Sequence, residues 1–170
     1  MIKAGFSDED IHGVFKLAKD YSQSITFYQT NYQRHEMNLA RRLAIGDTCF
    51  LAEDDNGSIA GFCWVVFRHN ARKMPWIAGS LATSLQPREA FVYDAYVVPD
   101  YRRNRIYERL LLEVLRFLRK EHYLRVYFQV QSGNIPSRKG IVRMGFRARN
   151  IVTRVTVLGH KMSFENASTF

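Results

Sequence analysis

Between Val97 and Arg109 the sequence VVPDYRRNRIYER carries four arginines: Arg102, Arg103, Arg105 and Arg109. A β-branched pair, a Pro-Asp turn and then an apolar helical period place the first three on the opening turn of a helix. The helix dipole favours anions at that end, and neighbouring cations repel one another. Such a cluster belongs either to a bound polyanion or to a solvated surface that tolerates the repulsion. Phosphate suits the first case. Helix N-termini leave amides without intrahelical partners, and guanidinium grips phosphate through paired hydrogen bonds.

Upstream, Asp94 interrupts the apolar run AFVYDAYVV. A carboxylate in such a strand costs free energy unless it has a partner or a task. It is read either as a general base or as a structural partner of an arginine. Tyr93 and Tyr96 flank it and are expected to face away from it as packing residues. Cys49 and Cys63 lie inside TCFLA and GFCWVVF and are read as reduced core residues, neither nucleophiles nor a disulfide. The histidines (His12, His35, His69, His122, His160) are dispersed. His35-Glu36 begins like a zinc-protease helix, but Leu39 stands where the second histidine is required. No metal-ligand spacing appears, so no metal is expected. Ser80, Ser84 and Ser132 lack the G-x-S-x-G setting of a hydrolase nucleophile.

The elements that must position these groups follow from periodicity. Residues 7–22 and 31–43 read as helices. TCFLAEDDNGSIAGFCWVVF reads as two strands joined through Asp54-Asp55-Asn56-Gly57, a strong hairpin signal. Residues His69 to Arg88 form a long connection holding Pro75 and Pro87, of the kind that often serves function. AFVYDAYVV is a central strand. The following helix sets Ile106, Leu110, Leu111, Val114, Leu115 and Leu118 on one face. LRVYFQV is then a strand parallel to the central one, because a helical crossover joins them. NIPSRKGIVRMG is a short helix ending near Gly145, and FRARNIVTRVTVLGHKM is β-rich and expected to close the sheet. The 170 residues suffice for one α/β domain with a mixed, twisted sheet flanked by helices. Residues 1–163 are assigned to that domain. Residues 164–170 are a tail, disordered or docked on a neighbour, which leaves room for a homodimer.

The formal charge of +9 and the pI of about 9.8 point to anionic partners. MIKAGFSDEDIHG lacks the apolar region of a signal peptide, and no window reaches membrane-spanning length, so a cytoplasmic protein without membrane contact is expected.

From the hairpin onward the chain resembles the GNAT superfamily of coenzyme A-dependent N-acyltransferases. Members carry V-x-P-x-Y-R, then [QR]-x-x-G-x-[GA], an amphipathic helix, a strand, and a segment like N-x-x-A-x-x-x-Y-x-x-x-G-F. Here VVPDYR stands at 97–102, RVYFQV at 125–130 and NIPSRKGIVRMGF at 134–146. The resemblance implies that acetyl-coenzyme A, or another acyl-coenzyme A, binds where central parallel strands splay apart. The implied cofactor residues are Val97, Val98, Arg102, Arg103, Asn104, Arg105, Ile106 and Tyr107, with backbone amides from Val98 to Tyr107 around the pyrophosphate. Asn134 and Ser137 would line the other side. Asp94 becomes the catalytic candidate, taking a proton from a small-molecule or peptide amine acceptor. The acceptor should enter between the early helices and the His69–Arg88 connection.

Three residues depart from the pattern. Arg105 stands where the first glycine is expected, and Tyr107 where the second belongs. Ile141 replaces a tyrosine that protonates the departing thiolate in many members. These departures keep open a catalytically inactive relative that binds a ligand or partner. A basic nucleic-acid-binding protein is the reading from another class. The cations, however, are spread along the chain and no named module emerges.

Overall fold

The Asp54–Gly57 segment forms the turn its sequence anticipates. The Asp54 amide donates to the Ser58 carbonyl at 2.9 Å, the Gly57 amide donates to the Asp54 carbonyl at 3.1 Å, and Gly57 takes φ +79°. The computed structural model describes residues 2–4, 46–67, 85–157 and 160–167. The helices expected over 7–22 and 31–43, with residues 69–84 of the long connection, lie outside the described residues. The chain divides into two compact units, Met1–Gln129 and Val130–Phe170.

The first unit is built on a five-stranded sheet of β1 (Ile2–Ala4), β2 (Thr48–Glu53), β3 (Ile59–Phe67), β4 (Glu89–Val97) and β5 (Arg125–Phe128), in that spatial order. β1 was not anticipated; three residues are too few for a periodic signal. β1 to β4 pair antiparallel, and β4 pairs with β5 in parallel, so the sheet is mixed as expected. β3 is buried from Ala60 to Phe67, which covers both of its faces and explains its continuous apolar run.

Helix α1 (Ile106–Lys120) connects β4 to β5 and packs on β2, β3 and β4. Leu110, Leu111, Val114 and Leu118 are fully buried, while Ile106 and Leu115 of the anticipated stripe are half-buried. Phe117 meets Phe50 edge-on with ring centroids 5.3 Å apart. The helix stops at His122, whose φ of +61° lets the Tyr123 amide reach back to the Leu118 carbonyl at 2.8 Å.

The start of β4 is clasped to β5 by Glu89. Its carboxylate accepts from the Gln86 amide at 2.9 Å, the Arg125 guanidinium at 3.0 Å and the Tyr127 hydroxyl at 3.1 Å. Burial pushes this carboxyl up, but the three donors together hold it below the usual carboxylate range.

In the second unit α2 (Ile135–Arg143) is capped by Asn134, whose side chain accepts from the Ser137 amide at 3.2 Å. Gly145 takes φ +87° just past the helix, and the Phe146 amide returns to the Ile141 carbonyl at 3.2 Å. That is the reason for glycine here. β6 (Asn150–Val157) and β7 (His160–Ala167) pair antiparallel as a sheet of their own. The expectation that this segment closes the main sheet is therefore corrected: among the described residues, each strand finds its ladder partner in the other. β7 also runs past the anticipated boundary at 163, since Phe164 to Ala167 pair with Thr153 to Asn150.

Candidate active site

β4 changes character at its middle. Trp64 pairs with Tyr93 and Phe62 with Tyr96, so Asp94 and Ala95 together oppose the single residue Cys63. This is a β-bulge. Asp94 takes φ +45°, in the left-handed region, and both Asp94 and Ala95 are exposed, whereas Ala90 to Tyr93 are buried. The premise of a carboxylate inside an apolar strand is thus corrected: the bulge turns Asp94 out to solvent. The extra residue also resets the alternation. Tyr93 and Tyr96 come to lie on one face, beside Trp64 and Phe62, as the Phe62–Tyr96 ring contact at 5.8 Å shows.

Pairing with β5 stops at Val92 and Phe128, one residue before the bulge region begins. From Tyr93 to Val97 that edge of β4 has no ladder partner on β5, which makes a wedge between parallel strands. Two contacts brace it. Tyr93 donates to the Asp47 carboxylate at 2.6 Å, with both residues buried. Gly61 lies so close to the strand that an added Cβ would stand 2.7 Å from the Tyr96 carbonyl oxygen.

A single 3-10 turn, Pro99–Tyr101, follows β4. The Tyr101 hydroxyl donates to the Asp54 carboxylate at 2.7 Å, and the other Asp54 oxygen accepts the Asn56 and Ser58 amides at 2.9 and 2.8 Å. One carboxylate thereby shapes the hairpin turn and ties it to the arginine loop. The Tyr101 hydroxyl, followed by the Ser58 amide, holds the Asp54 carboxyl below its ordinary range, and Asp54 in turn pushes the Tyr101 phenol up. The sequence marks Asp54 as a turn residue and Tyr101 as part of VVPDYR, but their bond is not legible there, because they are 47 positions apart and meet through the fold.

The loop itself is strained. Arg103 takes φ +68° and Arg105 φ +57°, with Asn104 between them. Alternating signs of φ turn successive amides toward a common side, an arrangement that gathers anions. The α1 ladder opens with the Arg109 amide on the Arg105 carbonyl at 3.0 Å, so the amides of Ile106, Tyr107 and Glu108 lie above its first rung. Of the anticipated cradle, Val98, Tyr101 and Arg102 are withdrawn: their amides donate to the carbonyls of Ala60, Val98 and Pro99. Arg102 bends back, with Nε donating to the Val97 carbonyl at 3.1 Å and its guanidinium 5.9 Å from the Tyr96 ring centroid. Arg102, Arg103, Asn104 and Arg105 are all exposed, and Tyr107 is half-buried.

Arg105 thus keeps the backbone of a glycine. A left-handed L-residue costs about 1–2 kcal/mol, part of which glycine returns through its freer unfolded chain. Arg105→Gly is expected to stabilise the fold by about 0.5–1 kcal/mol in urea unfolding. A destabilised variant would mean that the arginine side chain contributes more than its backbone costs.

In the second unit Asn134 is engaged as the helix cap, Ser137 is half-buried on the first turn of α2, and Ile141 is buried. Cys49 and Cys63 are free thiols in the core, and burial pushes the Cys63 thiol up, away from nucleophilic use.

A strand broken by a bulge, a wedge beside a parallel neighbour and a cationic loop at a helix N-terminus now stand in sequence order. The model of the acetyltransferase (GNAT) family matches residues 12–146. The chain belongs to that family. No curated protein matches this GNAT chain in sequence. Among solved structures, a Pyrococcus furiosus protein described as an acetyl transferase has a TM-score of 0.69 at 20% identity, covering 92% of this chain and all of its own. Bacillus subtilis YycN, described likewise, gives 0.65 at 18%, covering 93% and 99%. An aminoglycoside N-acetyltransferase in complex with a coenzyme A bisubstrate analogue gives 0.64 at 17%, covering 86% and 91%. At these identities the likeness is one of fold.

Proposed function

We propose that this GNAT-family protein transfers an acetyl or other acyl group from acyl-coenzyme A to an amine, by direct attack in a ternary complex. The break in β4 carries the reading. It opens a strand edge to an extended ligand, exposes one carboxylate, and stands a few residues before a strained loop that concentrates positive charge.

These residues fit coenzyme A. The β4 edge around Val97 and Val98 suits an extended amide-bearing arm pairing like an added strand. Amides from Arg103 through Ile106 and Tyr107, with the charge of Arg102, Arg103 and Arg105, suit a pyrophosphate. Asn134 and Ser137 are carried over by family resemblance. When bound, the thioester supplies an activated carbonyl. Asp94 takes the proton that the attacking amine must lose, directly or through one water. Ile141 cannot donate a proton, so the departing thiolate takes one from solvent or another side chain. Orientation of the two reactants supplies much of the remaining rate.

Calorimetric titration with acetyl-coenzyme A at two salt concentrations tests the reading. Saturable one-to-one binding that weakens with salt is expected. Arg102→Ala should weaken it by about 1–3 kcal/mol, the range for a charged hydrogen bond. Unchanged affinity would make the arginines surface decoration. A panel of aminoglycosides, polyamines, amino acids and peptide N-termini then identifies the acceptor. Tyr107 on the first turn of α1 favours a second reading, a silent relative that binds the same ligand. Saturable binding without turnover on the panel would select it.

A further inference from the structure

The positive charge of this chain is uneven because its acids are. Lys and Arg run throughout, but no Asp or Glu occurs between Glu121 and Glu165. Residues 122–164 hold eight Lys and Arg, leaving a formal +1 for the rest of a chain whose total is +9. Nearly the whole of this stretch is the second unit; the proposed acyl transfer draws on Asn134 and Ser137 there but on none of its cations.

The described part of that unit shows how the charge is displayed. On α2, Ile135, Arg138, Lys139, Val142 and Arg143 are exposed, while Gly140 and Ile141 are buried. Their spacing puts the five on one continuous helix face. Arg147 and Arg149, also exposed, follow within six residues of the helix end. Arg138 is held at the helix start, with Nη1 donating to the Ser132 carbonyl at 3.0 Å. Five cations therefore crowd one short segment, and the nearest acid in sequence lies 16 residues beyond Arg149. A face serving only solubility would intersperse both signs.

Four of the five are arginine, the side chain whose planar fork matches phosphate oxygens. Attraction to an anionic bilayer asks only for charge and is indifferent between Lys and Arg. A bilayer also asks for a larger apolar face than Ile135 and Val142, 55% and 65% exposed, provide on a nine-residue helix. We propose that the exposed face of α2, continued through Arg147 and Arg149, is a docking surface for the phosphodiester backbone of a nucleic acid, bound without base readout.

Fluorescence anisotropy of the full-length protein with a labelled single-stranded RNA of about twenty nucleotides, long enough to span such a surface, tests this across a salt series. The expected result is binding whose logarithm falls linearly with the logarithm of salt concentration. The combined variant Arg138→Gln, Lys139→Gln, Arg143→Gln should flatten that slope by about 2, at roughly 0.7 per phosphate released. The pair Arg147→Gln, Arg149→Gln lies outside the helix and should flatten it by about 1.4, which keeps the test valid if α2 tolerates substitution poorly. Arg116→Gln, Arg119→Gln, Lys120→Gln removes as much charge from the last two turns of α1 and should leave the slope unchanged.

Absence of binding at low salt overturns the proposal, and so do equal slopes in the α2 and α1 variants. RNA affinity that falls with Arg103→Gln, Arg105→Gln and not with the α2 variant would mean that the RNA had occupied the arginine loop, and overturns it too. Capture by phosphatidylglycerol vesicles without RNA binding would assign the face to a membrane instead.

Discussion

Asp94→Asn is expected to lower turnover by about 100-fold or more, the lower end of what a positioned general base contributes, while affinity for acetyl-coenzyme A stays unchanged. The substitution is chosen for what it preserves. Asparagine matches aspartate in size and accepts the left-handed backbone at least as well, so the φ of +45° is no harder to hold. Asp94 is exposed, and isosteric changes at exposed positions usually fall within about 0.5 kcal/mol. The negative charge is lost, and with it the ability to take a proton. Steady-state turnover with a responsive acceptor, cofactor titration and urea unfolding must be read together. Parallel loss of stability and activity would make Asp94 structural. Full activity with asparagine would assign the bulge a purely geometric task, opening the wedge, and send the search for a base to ordered water.

Much of the architecture was legible because it rests on local patterns. Asn56-Gly57 announced its hairpin, the apolar period announced the buried face of α1, and Gly145 announced the end of α2. The bulge was not legible. Nothing in AFVYDAYVV says that two residues will oppose one, since register is set by the neighbouring strand. The sequence therefore presents Asp94 as a carboxylate in an apolar strand, whereas the fold turns it outward. The bonds from Tyr101 to Asp54 and from Tyr93 to Asp47 span 47 and 46 positions, beyond any local signal. Arg105 is the instructive intermediate case. Composition reads it as one more cation and family resemblance reads it as a missing glycine, yet the chain keeps the glycine conformation with an arginine in it. The same lesson trims the anticipated cradle, because whether an amide such as that of Val98 is available depends on a carbonyl, that of Ala60, in another strand.

Gly61→Ala should then be the most damaging small substitution in the sheet. The new Cβ would stand 2.7 Å from the Tyr96 carbonyl oxygen, and that obstacle is backbone, with no side chain free to swing aside. β3 and β4 must separate, and overpacking of this kind typically costs about 1–3 kcal/mol. For a domain near this size, each kcal/mol lowers the melting temperature by about 2–4 °C. Gly57→Ala is the control: its φ of +79° is strained for alanine, but nothing lies within 4 Å of the added Cβ. It should cost about 1 kcal/mol, the left-handed penalty alone, without consequence for the site. The functional readouts separate the two variants. Gly61 faces Val97 and Phe62 faces Tyr96, so the forced separation falls between the bulge and the Val98 amide that secures the end of β4 on Ala60. Arg102 leans on that same end through the Val97 carbonyl. Gly61→Ala should therefore weaken coenzyme A binding as well as stability, while Gly57→Ala spares binding. Equal binding in both variants would show that the arginine loop holds its shape independently of the strand that precedes it.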